Sequence, residues 1–151
     1  MPARQTPLPA IWLMSDARND AALDAALARL PRGSGLIFRH YHLPDCERRA
    51  RFAALRRRAR ARGIVVVLAG PMHKARRWGA DGAYGPARML AHGSRGLRLA
   101  TVHSLAELAR ARRVDAVLLS PVFPTRSHPG GRVWGGVRFR LRAARVQVPV
   151  I

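Results

Sequence analysis

Short apolar runs and longer amphipathic segments alternate along the chain. The apolar runs are rich in Val, Ile and Leu, as in parallel strands that are buried on both faces. Between them apolar residues recur at helical spacing, as at Phe52, Leu55 and Ala59. This alternation predicts β/α units around a parallel sheet. The predicted strands are Ala10 to Met14, Gly35 to Arg39, Ile64 to Ala69, Gly82 to Tyr84, Leu97 to Thr101, Ala116 to Leu119 and Val148 to Ile151. The predicted helices are Asn19 to Leu30, Asp45 to Arg62, Pro71 to Trp78, Pro86 to His92, Ser104 to Arg112 and roughly Val133 to Arg145.

Local signals mark several helix boundaries. Ser104 followed by Glu107 forms a capping box, which predicts a helix start. Asp45 is the expected N-terminal cap of the longest helix. Gly63 is the residue expected to close that helix in a left-handed conformation.

The count of seven strands and six helices predicts an α/β fold like an incomplete TIM barrel. A closed barrel of this type has eight of each element and is typically about 250 residues long. No linker or change in composition divides the chain, so one domain spanning residues 1–151 is expected. The seventh strand would reach Ile151. Fewer than eight strands can be explained in three ways: the sequence is a truncated product, the sheet is open, or a partner completes the sheet. The third explanation makes a homo-oligomer possible.

Composition narrows the classes of function. The net charge of +20 could attract nucleic acid, but all basic residues except Lys74 are Arg and no RNA-recognition motif accompanies them, so nucleic-acid binding is not expected. No apolar run is long enough for a membrane span, and the amino terminus lacks the apolar core of a secretory signal. A cytoplasmic protein is therefore expected. Cys46 is the single cysteine, which excludes an internal disulfide.

The most informative segment runs from Asp115 to Gly131. An apolar strand leads into a loop that contains Thr125, Ser127 and His128 between prolines and two glycines, and such hydroxyls and amides can donate to phosphate oxygens. With Gly79 to Gly85 and Thr101 to Leu105, this segment resembles the thiamine phosphate synthase and TenI family. The resemblance implies a barrel that acts on thiazole phosphate and, in the synthase branch, on a pyrimidine pyrophosphate.

The resemblance also implies site residues, matched position by position. Arg39 falls in the family's pyrophosphate- and pyrimidine-binding run, and Thr101 matches a Ser that contacts pyrophosphate; these two are the expected catalytic residues. His103 matches a recurrent His beside that Ser. Thr125 and Ser127 match a hydroxyl pair near the thiazole, and His128 replaces a Lys there. All six residues are expected to bind phosphorylated thiazole or pyrimidine ligands.

The chain also departs from the family pattern. The family uses Mg²⁺, yet Ala69-Gly70 and Gly85 to Arg88 stand where its Mg²⁺-binding carboxylates are expected, so no metal site is predicted. Asp16 is the only carboxylate expected at the catalytic rim. His40 and His42 alternate on one face of a strand end, but two histidines make a weak metal site. Trp134 is expected either to cover the site or to join the core. Two functions stay open: a thiamine phosphate synthase that releases pyrophosphate, and a non-catalytic TenI-like protein that binds such phosphates or regulates the pathway.

Overall fold

The computed structural model describes residues 7–92, 95–111, 113–125, 130–131 and 133–151. Within these ranges six strands alternate with six helices, and the chain forms two compact units, Met1–Leu68 and Ala69–Ile151. The strands are β1 (Trp12–Met14), β2 (Gly35–Phe38), β3 (Val65–Ala69), β4 (Gly82–Pro86), β5 (Leu97–Val102) and β6 (Ala116–Leu119). The helices are α1 (Asp20–Arg29), α2 (Asp45–Ala61), α3 (Met72–Trp78), α4 (Ala87–Leu90), α5 (Leu105–Arg110) and α6 (Gly136–Ala143).

The first unit is built on the parallel strands β1, β2 and β3. Gly35 of β2 pairs with Trp12 on one side and with Val65 on the other, and every residue of β2 is buried. Helix α1 buries Leu23 and Leu27, and α2 buries Phe52 and Leu55. Each of these side chains contributes roughly 1.5–3 kcal/mol by leaving water. The apolar stripes that predict the two helices therefore also hold them in place.

The second unit repeats the arrangement with β4, β5 and β6, which are also parallel. The register pairs Pro86 with Thr101 and Thr101 with Leu118, so these residues form one row near the carboxyl ends of the strands. Polar residues that follow this row lie at the edge where parallel α/β proteins place their ligands.

The structure confirms an α/β fold like an incomplete barrel, but it contains six strands in the described residues rather than seven. The predicted strand Val148 to Ile151 is wrong, because this segment makes a single bridge between Val150 and Val117. The Pro149 carbonyl accepts from the Val117 amide (3.0 Å), and the Ile151 amide donates to the Val117 carbonyl (2.9 Å). Pro149 has no amide hydrogen to extend the ladder.

Two of the three predicted helix-boundary signals are confirmed. The Ser104 hydroxyl accepts from the Glu107 amide (3.2 Å), as the capping box predicts, and Gly63 has a left-handed φ of 65°. The predicted cap at Asp45 is wrong: Asp45 is the first helical residue, and Pro44 precedes it without a side-chain cap. Among the described residues, no helix is long and apolar enough to cross a membrane.

Candidate functional site

The first unit places a cluster of polar residues directly after β1 and β2. The Arg39 amide donates to the Ser15 hydroxyl (3.1 Å), and the Arg39 carbonyl accepts from Arg48 Nε (2.8 Å). The guanidinium group of Arg39 lies 3.2 Å from Asp16 Oδ2. The Nε atom of Arg39 is buried and makes no hydrogen bond within the described residues. Arg39 is therefore held from three directions at the predicted end of its strand.

Asp16 is the acidic centre of this cluster. Arg18 and Arg39 both reach Asp16 Oδ2, at 2.7 and 3.2 Å. The hydrogen bond from Arg18 is the main influence on the pKa of Asp16, which lies below its usual value although partial burial opposes the effect. Because two guanidinium groups already neutralise this carboxylate, a divalent cation there would face two positive neighbours.

The described residues do not fit the Mg²⁺ site that the family resemblance implies. Ala69, Gly70 and the Gly85 to Arg88 segment carry no carboxylate at the ends of β3 and β4. In the described part of the chain no group of three or more His, Cys, Asp or Glu side chains is placed to hold a metal ion.

His40 has a different environment from the one its spacing with His42 predicts. The two rings lie 5.2 Å apart, but His40 is fully buried and stacks on Phe38, whereas His42 is exposed. Nδ1 of His40 lies 2.9 Å from the Ser15 hydroxyl. Nε2 lies 2.9 Å from Asp20 Oδ1, without the alignment of a full hydrogen bond.

These contacts indicate which ring nitrogen carries the proton when His40 is neutral. A carboxylate only accepts, so the proton belongs on Nε2 beside Asp20, and Nδ1 accepts from the Ser15 hydroxyl. The Ser15 oxygen in turn accepts the Arg39 amide. Partial burial raises the pKa of Asp20, but His40 and Arg51 together hold that pKa below its usual value. Ser15 and His40 are both buried, so this constellation supports the Arg39 backbone instead of presenting a nucleophile.

The second unit contains the cavity that includes two of the predicted site residues. Its volume is about 500 Å³. Thr101 and His103 line it from the end of β5 and the turn that follows. Glu107 and Arg110 line it from α5, and Arg88 lines it from α4. The remaining wall is formed by Pro86 and Ala87.

Hydrogen bonds orient the polar wall of this cavity. His103 Nδ1 lies 2.8 Å from the Ser120 carbonyl, which can only accept, so Nδ1 carries a proton. The carboxylate of Glu107 accepts from the His103 amide (2.7 Å), while the Glu107 amide donates to Ser104. The carboxylate of Glu107 is thus engaged by the backbone, and two arginines, Arg88 and Arg110, line the same cavity.

The sequence-predicted residues divide between these two places. Arg39 belongs to the first unit, and Thr101 and His103 line the cavity of the second unit. Thr125 is exposed and is not among the residues that line the cavity. Ser127 and His128 lie outside the described residues. Trp134 is buried, and its indole NH donates to the Ser120 carbonyl (3.2 Å), so it belongs to the core of its unit.

Several residues of these clusters escaped sequence reasoning. In the sequence, Arg88 stands out only because it places a positive charge where the family pattern has a carboxylate. In the structure, Arg88 lines the cavity. Arg110 shares a helix face with Glu107 at a spacing of three residues, a signal that was available. Ser15 and Asp20 carry no local signal, because their roles depend on the fold bringing His40 to them.

The fold and its polar carboxyl-terminal edge define an α/β barrel-type protein. Solved structures specify the fold further. The chain is similar to thiamine phosphate pyrophosphorylase from Pyrococcus furiosus, with a TM-score of 0.77 and 23% sequence identity over 95% of this chain and 73% of that one. It is also similar to thiamine phosphate pyrophosphorylase from Bacteroides thetaiotaomicron, with a TM-score of 0.52 and 18% identity over 76% of this chain and 58% of that one.

These similarities establish the fold that the chain shares with thiamine phosphate pyrophosphorylases. No protein-family model matches the chain, and no curated protein matches it by sequence. The predicted family resemblance is thus confirmed at the level of the fold.

Proposed function

We propose that this protein binds phosphorylated thiazole or pyrimidine ligands of thiamine biosynthesis in the cavity lined by Thr101 and His103. The observation that carries the proposal is the pairing of Arg88 and Arg110 with these two residues in one cavity of about 500 Å³. Phosphate groups are recognised by guanidinium forks together with hydroxyl donors. The cavity size falls within the range of small-molecule sites.

Each wall residue has a defined part in this binding. Arg88 and Arg110 supply positive charge to the phosphate oxygens, and the Thr101 hydroxyl donates a hydrogen bond. The Ser120 carbonyl fixes the ring orientation of His103. Glu107 holds the amide of His103 and thereby the turn that carries it. Arg39 is the proposed anchor for an anionic group at the edge of the first unit, where Ser15 and Arg48 hold its backbone.

A second candidate is the synthase reaction itself. The fold shared with two thiamine phosphate pyrophosphorylases favours it. In that reaction the bond from the pyrimidinylmethyl carbon to pyrophosphate breaks, and the thiazole nitrogen forms a bond to that carbon. Developing charge on the leaving group needs cationic neutralisation, for which the cavity of the second unit offers Arg88 and Arg110. A cytoplasmic location is part of either proposal.

Calorimetric titration with pyrophosphate and with thiazole phosphate tests the binding proposal. We expect saturable binding that Arg88→Gln and Arg110→Gln each weaken at least about ten-fold, since a charge-assisted bond is worth roughly 1.5–3 kcal/mol and each ~1.4 kcal/mol is a factor of about ten. Arg77→Gln, an exposed change on α3, is the control with the same loss of charge. Equal weakening by all three variants would show non-specific attraction to a cationic surface and would overturn the proposal.

A turnover assay separates the two candidates. Protein that binds both ligands is mixed with pyrimidine pyrophosphate and thiazole phosphate, with and without Mg²⁺, and released pyrophosphate is measured. Release that Arg39→Gln abolishes would assign the synthase reaction. Binding without release would assign the non-catalytic function.

A further inference from the structure

Helices α5 and α6 are unusual in this fold because neither buries any of its residues. Leu105 of α5 is 56% exposed, and Val137 and Leu141 of α6 are 75% and 62% exposed. Most of the stability of a helix in a protein comes from packing its apolar side, so two neighbouring helices with exposed leucines lack a cover.

Two cavities that share part of their lining lie along these helices. The first, of about 440 Å³, extends from Leu105 and Leu108 to the segment 145–148, and the second, of about 300 Å³, extends from the same leucines to α6. They share Leu105, Leu108 and Arg145. We call this surface the α5–α6 groove and define it by its central residues, which are Leu105, Leu108, Arg138, Leu141, Arg142 and Arg145.

The charges around the α5–α6 groove have one sign. Arg138, Arg142 and Arg145 line it, and none of the described residues that line the two cavities is acidic. The Arg142 guanidinium lies 3.9 Å from the centre of the Trp134 ring, so one of the three is held by a buried aromatic residue. A rim of this kind complements a partner with carboxylates beside its apolar residues.

We propose that the α5–α6 groove binds an acidic amphipathic helix of a partner protein. Leucine-type side chains at every third or fourth position of such a helix would contact Leu105, Leu108 and Leu141, and its carboxylates would face the three arginines. A second copy of this chain fits poorly, because a two-fold interface would set the same arginines against each other. This inference is independent of the proposed ligand cavity.

A labelled synthetic peptide provides the direct test. The probe is a helix of about 16 residues, about 24 Å long, with Leu at helical spacing and Glu on its flanks. One comparison peptide carries Gln in place of each Glu, and another carries Ser in place of each Leu. Fluorescence anisotropy measures their affinity for the full chain. We expect both comparison peptides to bind at least about ten-fold more weakly than the probe.

Paired variants of the protein locate the binding surface. Leu105→Ala with Leu141→Ala removes exposed side chains, so folding should be unchanged, and we expect about ten-fold weaker binding of the probe. Arg138→Gln with Arg145→Gln should also weaken it. The control, Arg76→Gln with Arg77→Gln on α3, removes the same charge from another surface and should leave the affinity for the probe unchanged.

Two results would overturn the proposal. Equal weakening by the two arginine pairs would mean that the probe responds only to net charge. Sedimentation velocity that shows a dimer, dissociated by Leu105→Ala with Leu141→Ala, would mean that a second copy occupies the groove.

Discussion

Replacement of His40 by Leu tests how the edge of the first unit is held. His40 is fully buried between the Ser15 hydroxyl and the Asp20 carboxylate, each 2.9 Å from one ring nitrogen. Leucine keeps most of the buried apolar contact with Phe38 but removes both polar contacts. The change therefore isolates the polar part of the interaction.

The structure sets the expected loss of stability. The hydrogen bond to Ser15 is worth about 1 kcal/mol, and leaving that buried hydroxyl without its acceptor costs about another 1 kcal/mol. The Asp20 side chain is 35% exposed, so water screens its contact with His40, which adds about 1 kcal/mol at most. We expect His40→Leu to lower the free energy of unfolding by about 2–3 kcal/mol.

Urea unfolding followed by tryptophan fluorescence measures this loss. His42→Leu is the matched control, because His42 is exposed and lies two residues away, and it should change stability by less than about 0.5 kcal/mol. Ser15→Ala supplies a double-mutant cycle with His40→Leu, with a coupling energy of about 1 kcal/mol expected. Equal effects of the two histidine changes, or strictly additive effects of Ser15→Ala and His40→Leu, would show that the polar contacts of His40 do not stabilise this edge.

Two further predictions concern packing and acid stability. Gly35→Ala should destabilise the protein by about 1–3 kcal/mol, because its new methyl group would overlap the Trp12 ring. Gly136→Ala, whose methyl group meets open space, should stabilise α6 by up to about 1 kcal/mol; equal effects in thermal unfolding would contradict this. The lowered pKa of Asp20 means that its carboxylate stabilises the fold above its usual pKa of 3.8 and that this stability is lost as pH falls through the lower folded-state pKa. Asp20→Asn should therefore show a smaller loss of unfolding free energy between pH 5 and about pH 2 than the unchanged protein; parallel pH profiles would argue against the assignment.

The sequence was sufficient for the β/α order because apolar period and length distinguish buried parallel strands from amphipathic helices. The family resemblance pointed to Thr101 and His103, and the structure places both in the lining of one cavity at the end of β5 and in the turn that follows; their role as site residues stays a prediction. The assignment of Val148 to Ile151 as a strand was wrong, because the apolar character of a segment does not show how many bridges it forms. This segment forms a single bridge, beside Pro149.

The polar environment of His40 was beyond sequence reasoning. Its spacing with His42 describes two side chains on one strand end, whereas the structure joins His40 to Ser15, 25 residues earlier, and to Asp20. Arg48 shows the same limit: arginine side chains are mostly exposed in proteins, yet Arg48 is buried and donates to the Arg39 carbonyl. Long-range contacts of this kind depend on the register of packed elements.

We propose above that Arg88 and Arg110 make the cavity beside Thr101 and His103 a site for phosphorylated ligands. The most direct measurement is calorimetric titration of thiazole phosphate into the unchanged protein, Arg88→Gln and the control Arg77→Gln. We expect one saturable site whose affinity falls at least about ten-fold in Arg88→Gln and stays unchanged in Arg77→Gln. Absence of saturable binding, or equal loss in both variants, would contradict it.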